Sequence, residues 1–580
     1  MCGIVGYIGR RQAASLILDG LKKLEYRGYD SFGIATLQNH IEIEKHKGRI
    51  SEYAGGIRLK GTLGIGHTRW ATHGVPNDVN AHPHTDCNNK IALVHNGIIE
   101  NYSELKKELV AKGHHLLSET DTEVVVHLIE DQYAKTPDLM TAVQNALPRL
   151  KGSYALLIIA SGTDNLIAAR NGSPLVLGIG DHEYFAASDM TPVLEFTERA
   201  IFLEDGDIAR LTMNGVEIFS QGQPVNRKVE LIDWSPEEAK KGGFPHYMLK
   251  EIYEQPLAFF NTLRAIDRNN LPNFVCKSPS VSIVACGSSY NAGLIFKYLL
   301  EESCTIPTRV DFASEFRYFT PPVDGLVIGI TQSGETADTL AALKQAQAHN
   351  CRTLAITNVL GSSASRVADA TLFMRAGPEI SVAATKSFVA QLAVLMQIIN
   401  ARSDGRYDDI LMHAHQSIEE VLLMDLSSAV EQLKGAQSIF YVGRGPFYPV
   451  ALEGSLKMKE ISYIHAEGYA AGELKHGPFA LLSPETPVIA LCMLGDTHGV
   501  MVSNIKEMKA RGAPVIALGI EGDPELPDIV DQFIPLPKMH PFVQVLTSLV
   551  VLQILAYHTA VTLGMDIDKP RNLAKSVTVE

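Results

Sequence analysis

The first residue that could do chemistry is Cys2, which directly follows Met1. A small residue in the second position normally permits removal of the initiator methionine, which would leave the Cys2 thiol beside a free α-amine. An α-amine has a pKa of about 7.7–8.0 and a thiol one of about 8.5, so the amine can accept the thiol proton near neutral pH. Cys2 is therefore predicted to be a nucleophile that needs no catalytic histidine.

Five segments near the N-terminus carry a family resemblance through both their sequences and their order. They are CGIVGYIG (2–9), LEYRGYDSFG (24–33), HTRWATHG (67–74), HNGIIENY (95–102) and ETDTEVV (119–125). Together they resemble the glutamine amidotransferase domains whose nucleophile is an N-terminal cysteine. The resemblance implies that Cys2 attacks the side-chain amide of glutamine and that ammonia is released.

The same resemblance assigns roles to polar residues in these segments. Asn96 and Gly97 are expected to form the oxyanion hole, because a side-chain amide and a backbone N–H can stabilise the developing negative charge. Arg69 can pair with the α-carboxylate of glutamine and Asp121 can hold its α-ammonium group. Four neighbours complete the expected site: Thr72 and His73 near the glutamine, with Arg27 and Trp70 positioning the nucleophile or closing the site.

Two strand-to-helix turns in the second half of the chain are suited to a phosphate. CGSSYNAG (286–293) and TQSGETADT (331–339) each follow an apolar run, and such turns offer hydroxyls, backbone N–H groups and a helix dipole. TQSGETADT contains no lysine, which argues against a nucleotide-binding P-loop. The pair resembles the loops of sugar isomerase (SIS) domains. This resemblance assigns the sugar phosphate to Ser289, Gln332, Ser333 and Thr336, with Ser288 and Thr331 adjacent.

Isomerisation of a ketose to an aldose moves a proton between carbons 1 and 2, which requires a base and an electrophile for the oxygen. In the segment 451–482, Lys457 and Glu460 lie three residues apart and therefore share one face of a predicted helix. Glu460 suits the base and Lys457 the stabilising cation. An exposed salt bridge is the alternative interpretation of this pair when it is considered alone.

Two further groups are expected at the isomerase site. His476 could shuttle a proton during opening of the sugar ring, since its unperturbed pKa is about 6.5. The family resemblance implies that this histidine comes from the neighbouring subunit. The resemblance also makes Lys575, in the C-terminal segment 568–580, the lysine that forms a Schiff base with the ketose carbonyl.

Two positions depart from the family pattern. Phe32 stands where relatives usually carry a small residue, so packing near the nucleophile is expected to differ. Ala384 replaces a serine that is expected to touch the sugar, so one hydrogen bond to the sugar is lost or remade. Ala384 therefore leaves open an amidotransferase for another sugar phosphate.

The elements that must position these residues divide the chain. Residues 1–225 contain short β-rich runs separated by glycine, which predict an α+β domain of stacked antiparallel sheets between helices. Residues 226–246 are polar and are interpreted as a linker. Beyond them, apolar strands alternate with helical stretches, which predicts two α/β domains with parallel sheets, at 247–420 and 421–567, followed by a catalytic tail at 568–580.

An internal repeat supports two copies of one α/β unit. The segment 327–356 aligns without gaps on 488–517, so that Gly334 matches Gly495 and Thr336 matches Thr497. The copies differ in the loop that follows the strand, where the first has Thr-Gln-Ser and the second Cys-Met-Leu. One copy is therefore expected to bind the ligand, and the other to serve another purpose.

Composition excludes several classes of partner and site. A formal net charge of −14 without a basic stripe argues against binding to nucleic acid or to an anionic membrane surface. Seven scattered cysteines without CxxC spacing argue against both a disulfide framework and a zinc site, and fit a reducing cytoplasm. The sequence contains no uninterrupted run of about 18 apolar residues, so no membrane-spanning segment is predicted.

All parts together resemble the family of isomerising glutamine:fructose-6-phosphate aminotransferases, which begin hexosamine and UDP-N-acetylglucosamine biosynthesis. The resemblance implies glutamine and fructose 6-phosphate as substrates, glucosamine 6-phosphate and glutamate as products, no metal or redox cofactor, and a homodimer. Besides the amidotransferase for another sugar phosphate, the residues leave open a deglycase acting on amino sugars. They also leave open a non-catalytic SIS sensor of sugar phosphates.

Overall fold

The computed structural model describes residues 2–53, 55–71, 73–232, 240–318 and 325–578. These residues form two compact units. The first contains residues up to 232 together with 576–578, and the second contains residues within 240–575. Thr72, which is predicted to contact glutamine, lies outside the described residues, as does Met1.

The first unit has fifteen described strands and four α-helices. The strands are β1 (Gly3–Ile8), β2 (Ser31–Leu37), β3 (Ile41–Lys47), β4 (Leu63–Arg69), β5 (His84–Thr85), β6 (Ile91–Ile99), β7 (Gly152–Ala160), β8 (Leu166–Asn171), β9 (Val176–Ile179), β10 (Tyr184–Ala187), β11 (Arg199–Phe202), β12 (Asp207–Thr212), β13 (Gly215–Ser220), β14 (Gln223–Val225) and β15 (Glu230–Leu231). The helices are α1 (Ala13–Lys23), α2 (Tyr102–Ala111), α3 (Glu123–Tyr133) and α4 (Leu139–Ala146).

These strands form two antiparallel sheets that pack face to face. One sheet has the order β15-β11-β9-β10-β1-β4-β2-β3 and the other β14-β13-β12-β8-β7-β6-β5. Strand β7 explains the layering, because successive side chains of a strand point to opposite faces. Leu157 and Ile159 pack in the core between the sheets, whereas Leu156 and Ile158 pack in the core shared with α2, α3 and α4. Helix α1 covers the other sheet at β1 and β4, which confirms stacked antiparallel sheets between helices.

The second unit alternates strands with helices. Its strands are β16 (Val281–Ala285), β17 (Thr308–Phe312), β18 (Leu326–Ile330), β19 (Arg352–Thr357), β20 (Ala370–Phe373), β21 (Ser438–Gly443), β22 (His465–Ala470), β23 (Val488–Cys492), β24 (Val515–Ile520) and β25 (Gln532–Leu536). Its helices are α5 (Tyr247–Tyr253), α6 (Gln255–Ala265), α7 (Asn273–Lys277), α8 (Gly287–Cys304), α9 (Ala313–Phe316), α10 (Ala337–Ala348), α11 (Ser363–Val367), α12 (Lys386–Arg402), α13 (Asp408–Val421), α14 (Ser427–Leu433), α15 (Phe447–Ser462), α16 (His498–Lys509), α17 (Leu526–Ile529) and α18 (Pro541–Thr562).

Two parallel sheets in this unit have equivalent strand orders, β17-β16-β18-β19-β20 and β22-β21-β23-β24-β25. The aligned threonines of the sequence repeat occupy equivalent places, since Thr336 precedes α10 and Thr497 precedes α16 as the N-cap residue. The prediction of two α/β copies with parallel sheets is therefore confirmed. Helix α8 follows β16 and helix α15 follows β21, and each of these strands is second in the order of its sheet. The two helices pack against one another.

One described helix, α18, is long and apolar enough to cross a membrane by length and composition alone. In the structure 83% of its most apolar window is buried inside the protein. The side chains of Leu549, Leu552 and Leu555 are fully buried in the core of the second unit. This burial is that of a core helix.

The predicted linker at 226–246 is partly ordered against its neighbour. Strand β15 pairs with β11 through Arg199 and Leu231, so the sheet extends into this segment. Residues 233–239 lie outside the described part of the chain. The predicted domain limits themselves stay a prediction.

Candidate active sites

Cys2 stands at the start of a central strand of the eight-stranded sheet. Strand β1 pairs with β4 so that Gly3 lies opposite Thr68, which brings Cys2 to the end of β4. The backbone N–H of Trp70 donates a hydrogen bond to Cys2 Sγ at 3.3 Å. Burial raises the pKa of the Cys2 thiol. Ionisation of this thiol therefore requires a base close to it.

Asn96 and Gly97 lie on β6, beside Cys2. The Asn96 side-chain amide donates to the main-chain oxygen of Cys2 at 3.0 Å. Among the described residues the buried Oδ1 atom of Asn96 has no partner. Gly97 has φ 133°, and a Cβ atom there would lie 2.0 Å from the carbonyl oxygen of Ser153. Only glycine fits at this position, and its backbone can therefore approach a substrate closely.

Arg69 and Asp121 supply opposite charges near the thiol. Arg69 Nη2 donates to the carbonyl oxygens of His73 and Gly74, while its buried Nη1 has no partner within the described part of the chain. Asp121 precedes α3, and its Oδ2 accepts from the backbone N–H of Ile99 at 2.8 Å. The pKa of Arg69 is lowered by burial and raised in part by Cys2 and Asp121, so these groups act on one another electrostatically.

Arg27 lies behind the nucleophile, in a buried network. Its Nη1 donates to the carbonyl oxygen of Ser188 at 3.0 Å and to Asp189 at 3.2 Å. Ser188 Oγ in turn accepts from the backbone N–H of Ile4 at 3.1 Å. Arg27 therefore supports β1, which begins directly after Cys2.

The remaining predicted residues of this site are aromatic. The Trp70 ring packs edge-on against Tyr29 at 5.6 Å, and the His73 ring packs against Tyr102 at 5.3 Å. Phe32 is buried, 1% exposed, and its ring contacts the rings of two neighbours on this unit, His46 and Tyr53. The large residue at position 32 is thus accommodated by an aromatic cluster.

The two loops assigned to sugar phosphate lie at one edge of the first parallel sheet. Strands β16 and β18 are adjacent and parallel, with Ala285 opposite Ile330, so the turns after both strands meet at the carboxyl edge. Ligands of open α/β sheets bind at this edge. The first turn begins α8 and carries Ser288 and Ser289, both at least partly exposed.

The second loop is held in shape by its own hydroxyls. Thr331 Oγ1 lies 2.8 Å from Thr336 Oγ1 and accepts from the backbone N–H of Gly334 at 3.2 Å. Ser333 Oγ accepts from the backbone N–H of Glu335 at 3.1 Å. The carbonyl oxygen of Gln332 accepts from the backbone N–H of Asn358 at 3.0 Å. This closed loop leads directly into α10 and presents its N-terminus.

Lys457 and Glu460 lie together on α15, as their spacing predicts. Lys457 Nζ lies 2.5 Å from Glu460 Oε2 and 3.5 Å from Glu453 Oε1. The Lys457 side chain is 1% exposed, Glu453 is 0% exposed and Glu460 is 20% exposed. Burial would lower the pKa of Lys457, but the two carboxylates raise it above its ordinary value. The pair is therefore a buried cluster and not an exposed salt bridge.

Glu453 joins this cluster to the first SIS copy. Its Oε1 accepts from Ser288 Oγ and its Oε2 from the Asn291 side-chain amide, each at 2.8 Å. Sequence reasoning missed Glu453 and Asn291. Glu453 precedes Lys457 by four residues, so the helical spacing could have identified it.

Lys575 is buried in an ion pair at the end of the second unit. Its Nζ contacts Glu379 Oε2 and donates to the carbonyl oxygen of Ser381 at 2.8 Å. Burial would raise the pKa of Glu379, but Lys575 and Ser387 lower it to about 2. The ion pair therefore keeps the Glu379 carboxylate ionised beside Lys575. Glu379 also raises the pKa of Lys457, which connects the tail to the α15 cluster.

Glu251 on α5 is a second carboxyl near Lys575 that the sequence did not reveal. Its Oε1 accepts from the backbone N–H groups of Ile380 and Ser381 at 2.6 and 3.1 Å. Burial and the nearby Glu379 raise the pKa of Glu251 to about 8. Glu251 is therefore a neutral acid at pH 7, beside an ionised carboxylate.

Ala384 and His476, two residues predicted for the isomerase site, are not part of the buried cluster around Lys457 and Lys575. Ala384 is partly exposed and immediately precedes Thr385, the N-cap residue of α12, whose buried Oγ1 has no partner among the residues described here. His476 is exposed at the end of a short 3₁₀ helix, Ala471–His476. The hydrogen bonds and ion pairs of the described residues do not join His476 to Glu460 or Lys575.

Comparisons with known proteins match both halves of the chain. The glutamine amidotransferase domain family matches residues 67–195, and the SIS domain family matches residues 274–401 and 432–563. The C-terminal domain of glucosamine-fructose-6-phosphate aminotransferase from Francisella tularensis has a TM-score of 0.52 and 36% identity, and the match covers 57% of this chain and 99% of that chain.

Two proteins named glutamine--fructose-6-phosphate aminotransferase (isomerizing) match over their whole length. The protein of Thermus thermophilus is 46% identical and that of Thermococcus kodakarensis is 49% identical, each over 100% of both chains. These matches span both units of the chain. The chain therefore belongs to the isomerizing glutamine--fructose-6-phosphate aminotransferases.

Proposed function

We propose that this chain makes glucosamine 6-phosphate and glutamate from fructose 6-phosphate and glutamine. The observation that carries the proposal is the presence of two different chemical sites on one full-length family member. Cys2 lies against Trp70 and Asn96 in the first unit, and the second unit contains the buried Lys457–Glu460 pair. The enzyme is an aminotransferase that combines amide hydrolysis with isomerisation.

The proposed glutaminase reaction begins after removal of Met1. The α-amine of Cys2 takes the thiol proton, and the thiolate attacks the amide carbon of glutamine. Asn96 and Gly97 stabilise the oxyanion of the tetrahedral intermediate, which collapses to a thioester and ammonia. Water then hydrolyses the thioester to glutamate. The unpartnered Nη1 of Arg69 supports a role in binding the α-carboxylate, and Asp121 is proposed to bind the α-ammonium.

The remaining glutamine-site proposals differ in the support they have. His73 is proposed to lie beside the substrate, because its carbonyl oxygen is held by Arg69. Trp70 is proposed to position the nucleophile through its backbone N–H. Arg27 is proposed to position β1 through Ser188, without touching glutamine. Thr72 stays a proposal from the family resemblance alone.

The proposed isomerase reaction uses the second unit. The sugar phosphate binds at Ser289, Gln332, Ser333 and Thr336, with Ser288 and Thr331 adjacent. Lys575 transfers its proton to Glu379 as the sugar displaces their ion pair, and its amine condenses with the ketose carbonyl to a Schiff base with release of water. Ammonia replaces Lys575 at carbon 2 to give an imine. Glu460 removes a proton from carbon 1 and a proton is returned to carbon 2. The proton of the hydroxyl on carbon 1 passes to the nitrogen, which leaves an aldehyde and an amine.

Lys457 is proposed to stabilise the oxygen that becomes negative during this proton transfer, because its buried ammonium is close to Glu460. Ammonia must reach carbon 2 without being protonated by bulk water, so we propose that the two sites exclude water when both substrates are bound. No metal or redox cofactor takes part in these steps. The reaction needs only the groups of the chain and its two substrates.

Assembly and location complete the proposal. We propose a homodimer, because His476 is exposed and apart from Glu460 in one chain, so a partner subunit can supply it. We propose a cytoplasmic enzyme without nucleic-acid or membrane partners, which is supported by seven free cysteines and a net charge of −14. Limited proteolysis tests the domain limits proposed above, at 225, 246, 420 and 567.

One observation favours a second candidate, an amidotransferase for a different sugar phosphate. Ala384 lies next to Thr385, whose buried hydroxyl has no partner among the described residues, so the contacts to the sugar at this loop differ from those of a serine. A deglycase is weakened by the presence of Glu460, Lys575 and the glutaminase groups together. A non-catalytic sensor would have no use for Cys2.

Intact mass spectrometry and a product assay test the proposal together. We expect the purified chain to lack Met1, to gain the mass of one glutamine-analogue electrophile at Cys2, and to form glucosamine 6-phosphate. A Cys2→Ala variant is the control, and it should keep activity with added ammonia. An unreactive Cys2 or a product other than glucosamine 6-phosphate from a panel of ketose phosphates would contradict the proposal.

A further inference from the structure

Four side chains of the first unit converge at a place that the proposed glutaminase chemistry does not use. They are Cys87, His114, His127 and Glu130, and their ligand atoms all lie within 4.8 Å of one another. Cys87 lies in the turn between β5 and β6, His114 in the loop after α2, and the other two on α3. Three separate segments of chain therefore bring together a thiol, two imidazoles and a carboxylate.

Five of the six distances between these atoms are close to the edges of a tetrahedron around a metal ion. Cys87 Sγ lies 3.6 Å from Nδ1 of each histidine, and the two Nδ1 atoms lie 3.2 Å apart. Glu130 Oε2 lies 3.0 Å from His114 Nδ1 and 3.1 Å from His127 Nδ1. Zinc bonds of about 2.3 Å to sulfur and about 2.0–2.1 Å to nitrogen give edges of roughly 3.5 and 3.3 Å in a tetrahedron.

A second layer of side chains fixes the orientation of His114. Its Nε2 lies 2.9 Å from Asp131 Oδ1, and Asp131 Oδ2 is itself bound by Lys112 at 2.8 Å. A carboxylate accepts a hydrogen bond from Nε2–H, which leaves the Nδ1 lone pair directed at the cluster. Such carboxylate–histidine pairs are common behind metal ligands.

Without a metal, the hydrogen bonds of this cluster depend on how the protons of the two imidazoles are placed. The two Nδ1 atoms face each other at 3.2 Å and also face one oxygen of Glu130. If both Nδ1 atoms carry protons, two donors oppose each other, and if neither does, three lone pairs converge with the cysteine sulfur. Hydrogen bonds form only with one proton between them, for example on His127 Nδ1, which then donates to Glu130 Oε2. A cation at the centre removes both conflicts, because each of the four atoms becomes a ligand.

We propose that Cys87, His114, His127 and Glu130 bind one zinc ion. Four protein ligands of this kind leave no open coordination position, which is typical of a structural site and not of a catalytic one. His127 is 1% exposed, whereas Cys87 is exposed at the rim. The exposed rim gives the ion a way in, and the buried histidine anchors it.

The site would fix the elements that carry the glutamine-binding groups. Strand β6 begins four residues after Cys87 and carries Asn96, and α3 begins two residues after Asp121. A metal bound between the β5–β6 turn and α3 would therefore hold the oxyanion hole and the ammonium-binding carboxylate in register. This inference goes beyond the proposed function, and loss of the metal need not abolish amide hydrolysis.

The sequence did not reveal this site, because its ligands are far apart. The chain has no CxxC pair, and the spacing between Cys87, His114 and His127 corresponds to no short zinc-binding pattern. Only His127 and Glu130, three residues apart on α3, share a local face. The expectation that the chain has no metal site rested on the absence of local spacing, and the geometry counts against it.

Metal analysis of the full-length chain tests the proposal. The purified protein is incubated with Zn²⁺, desalted and analysed for metal per chain, together with the variants Cys87→Ser and His127→Gln. His115→Gln is the matched control, because His115 adjoins His114 but its side chain is exposed. We expect about one retained zinc per chain in the wild type and the control, and at least a tenfold loss of zinc affinity in the two variants.

Cobalt substitution decides the question if either variant fails to fold. Co²⁺ in the wild-type chain should give the intense visible bands of a tetrahedral ion and a charge-transfer band from a thiolate, both absent after Cys87 is alkylated. Zinc that is not retained by the loaded wild type would overturn the proposal. Equal retention by folded variants, or an octahedral cobalt spectrum without a thiolate band, would also overturn it.

Discussion

Helices α8 and α15 follow equivalent strands of the two SIS copies, and each carries a lysine and a glutamate four residues apart. On α8, Lys297 Nζ lies 2.6 Å from Glu301, and the two side chains are 32% and 37% exposed. On α15, Lys457 lies 3.5 Å from Glu453, and the two are 1% and 0% exposed. Spacing and residue type are the same in both helices, so they do not distinguish a functional pair from a surface one.

Burial and additional partners make the difference. A pair that is only half-buried contributes little to stability because water screens it. The α8 pair is of this kind, and its further partners are main-chain groups of Thr308, since Lys297 donates to the Thr308 carbonyl oxygen and Glu301 accepts from its N–H, each at 3.1 Å. A buried pair persists only when further groups satisfy it. The α15 pair has Glu460 as a second carboxylate, and Glu453 accepts from Ser288 and Asn291 of the first copy. The α15 cluster is therefore assembled from both copies.

The loops after β18 and β23 differ in a complementary way. The first contains the hydroxyls of Thr331 and Ser333, which bond within the loop. In the second, Cys492 and Met493 are buried apolar side chains. One copy thus carries the loop hydroxyls that are proposed to bind the phosphate, and the other carries the helix with the proposed acid–base groups.

The largest effect should come from the tail lysine. Lys575→Ala removes the proposed Schiff-base amine, and loss of a nucleophile on which a reaction depends can cost up to about 10⁶-fold in kcat. We expect no detectable glucosamine 6-phosphate, while glutamine hydrolysis persists. Lys297→Ala on α8 is the control and should keep synthesis within about twofold, as expected for a half-buried pair outside the proposed site. Synthesis by Lys575→Ala at a tenth of the wild-type rate would contradict the Schiff-base role.

The next largest effect separates the two lysine–glutamate pairs. Lys457→Met removes the buried cation and leaves two carboxylates, so we expect kcat for synthesis to fall about 10²–10³-fold, as for loss of an electrostatic stabiliser. Lys297→Met should leave kcat unchanged. Steady-state kinetics of both variants provide the measurement, and equal effects in the two would remove the distinction between the helices.

The difference between the loops after β18 and β23 predicts a smaller effect, on the KM for fructose 6-phosphate. Thr336→Ala removes a hydroxyl at the N-terminus of α10, and a hydrogen bond to a charged group contributes about 1.5–3 kcal/mol. We therefore expect the KM for fructose 6-phosphate to rise by about tenfold or more, with little change in the KM for glutamine. Thr497→Ala, at the matching N-cap of α16, should leave both KM values unchanged. A rise with Thr497→Ala would mean that both copies bind phosphate.

The smallest effect concerns the buried carboxyl of Glu251, whose negative charge would be poorly compensated in the folded chain. The pKa of Glu251 is raised to about 8 by burial and by Glu379, whereas an unfolded glutamate has a pKa of about 4.3. Between pH of about 4.3 and about 8, Glu251 therefore keeps its proton in the folded state and has lost it in the unfolded state. The free energy of unfolding of the wild type falls as pH rises through this range.

Glu251→Gln imitates the protonated acid and should remove this dependence. The melting temperature of the variant should match that of the wild type near pH 4.5 and exceed it increasingly up to pH 8. Glu301→Gln, on the half-buried α8 pair, is the control and should show no such trend. A variant that is less stable than the wild type at pH 8 would show that Glu251 is ionised in the folded chain.

Much of this architecture could be predicted from the sequence because it depends on local patterns. Strand–helix alternation and the gapless repeat predicted two parallel-sheet copies, and helical spacing predicted that Lys457 and Glu460 share a face. Glu453 had the same helical spacing but was missed, because its partners Ser288 and Asn291 come from the first copy.

Other features depend on contacts between distant segments, which spacing does not encode. Glu251 and Glu379 meet Lys575 only in the folded unit, so neither could be assigned from sequence. The role of Arg27 is likewise set by Ser188, far along the chain. The candidate zinc ligands show this most clearly. Only His127 and Glu130, both on α3, are close in sequence, whereas Cys87 and His114 come from two other segments of the chain.

Solvent exchange tests the central claim most directly. Product formation in D₂O with ammonia as the nitrogen source bypasses glutamine hydrolysis, and deuterium in glucosamine 6-phosphate, detected by mass spectrometry, reports the proton transfer between carbons 1 and 2. For Glu460→Gln we expect deuterated product to form about 10²–10⁴-fold more slowly than for the wild type, the range for loss of a general base. Glu301→Gln, on the half-buried α8 pair, should match the wild type. A rate for Glu460→Gln within about threefold of the wild type would contradict the assignment of α15 as the catalytic helix.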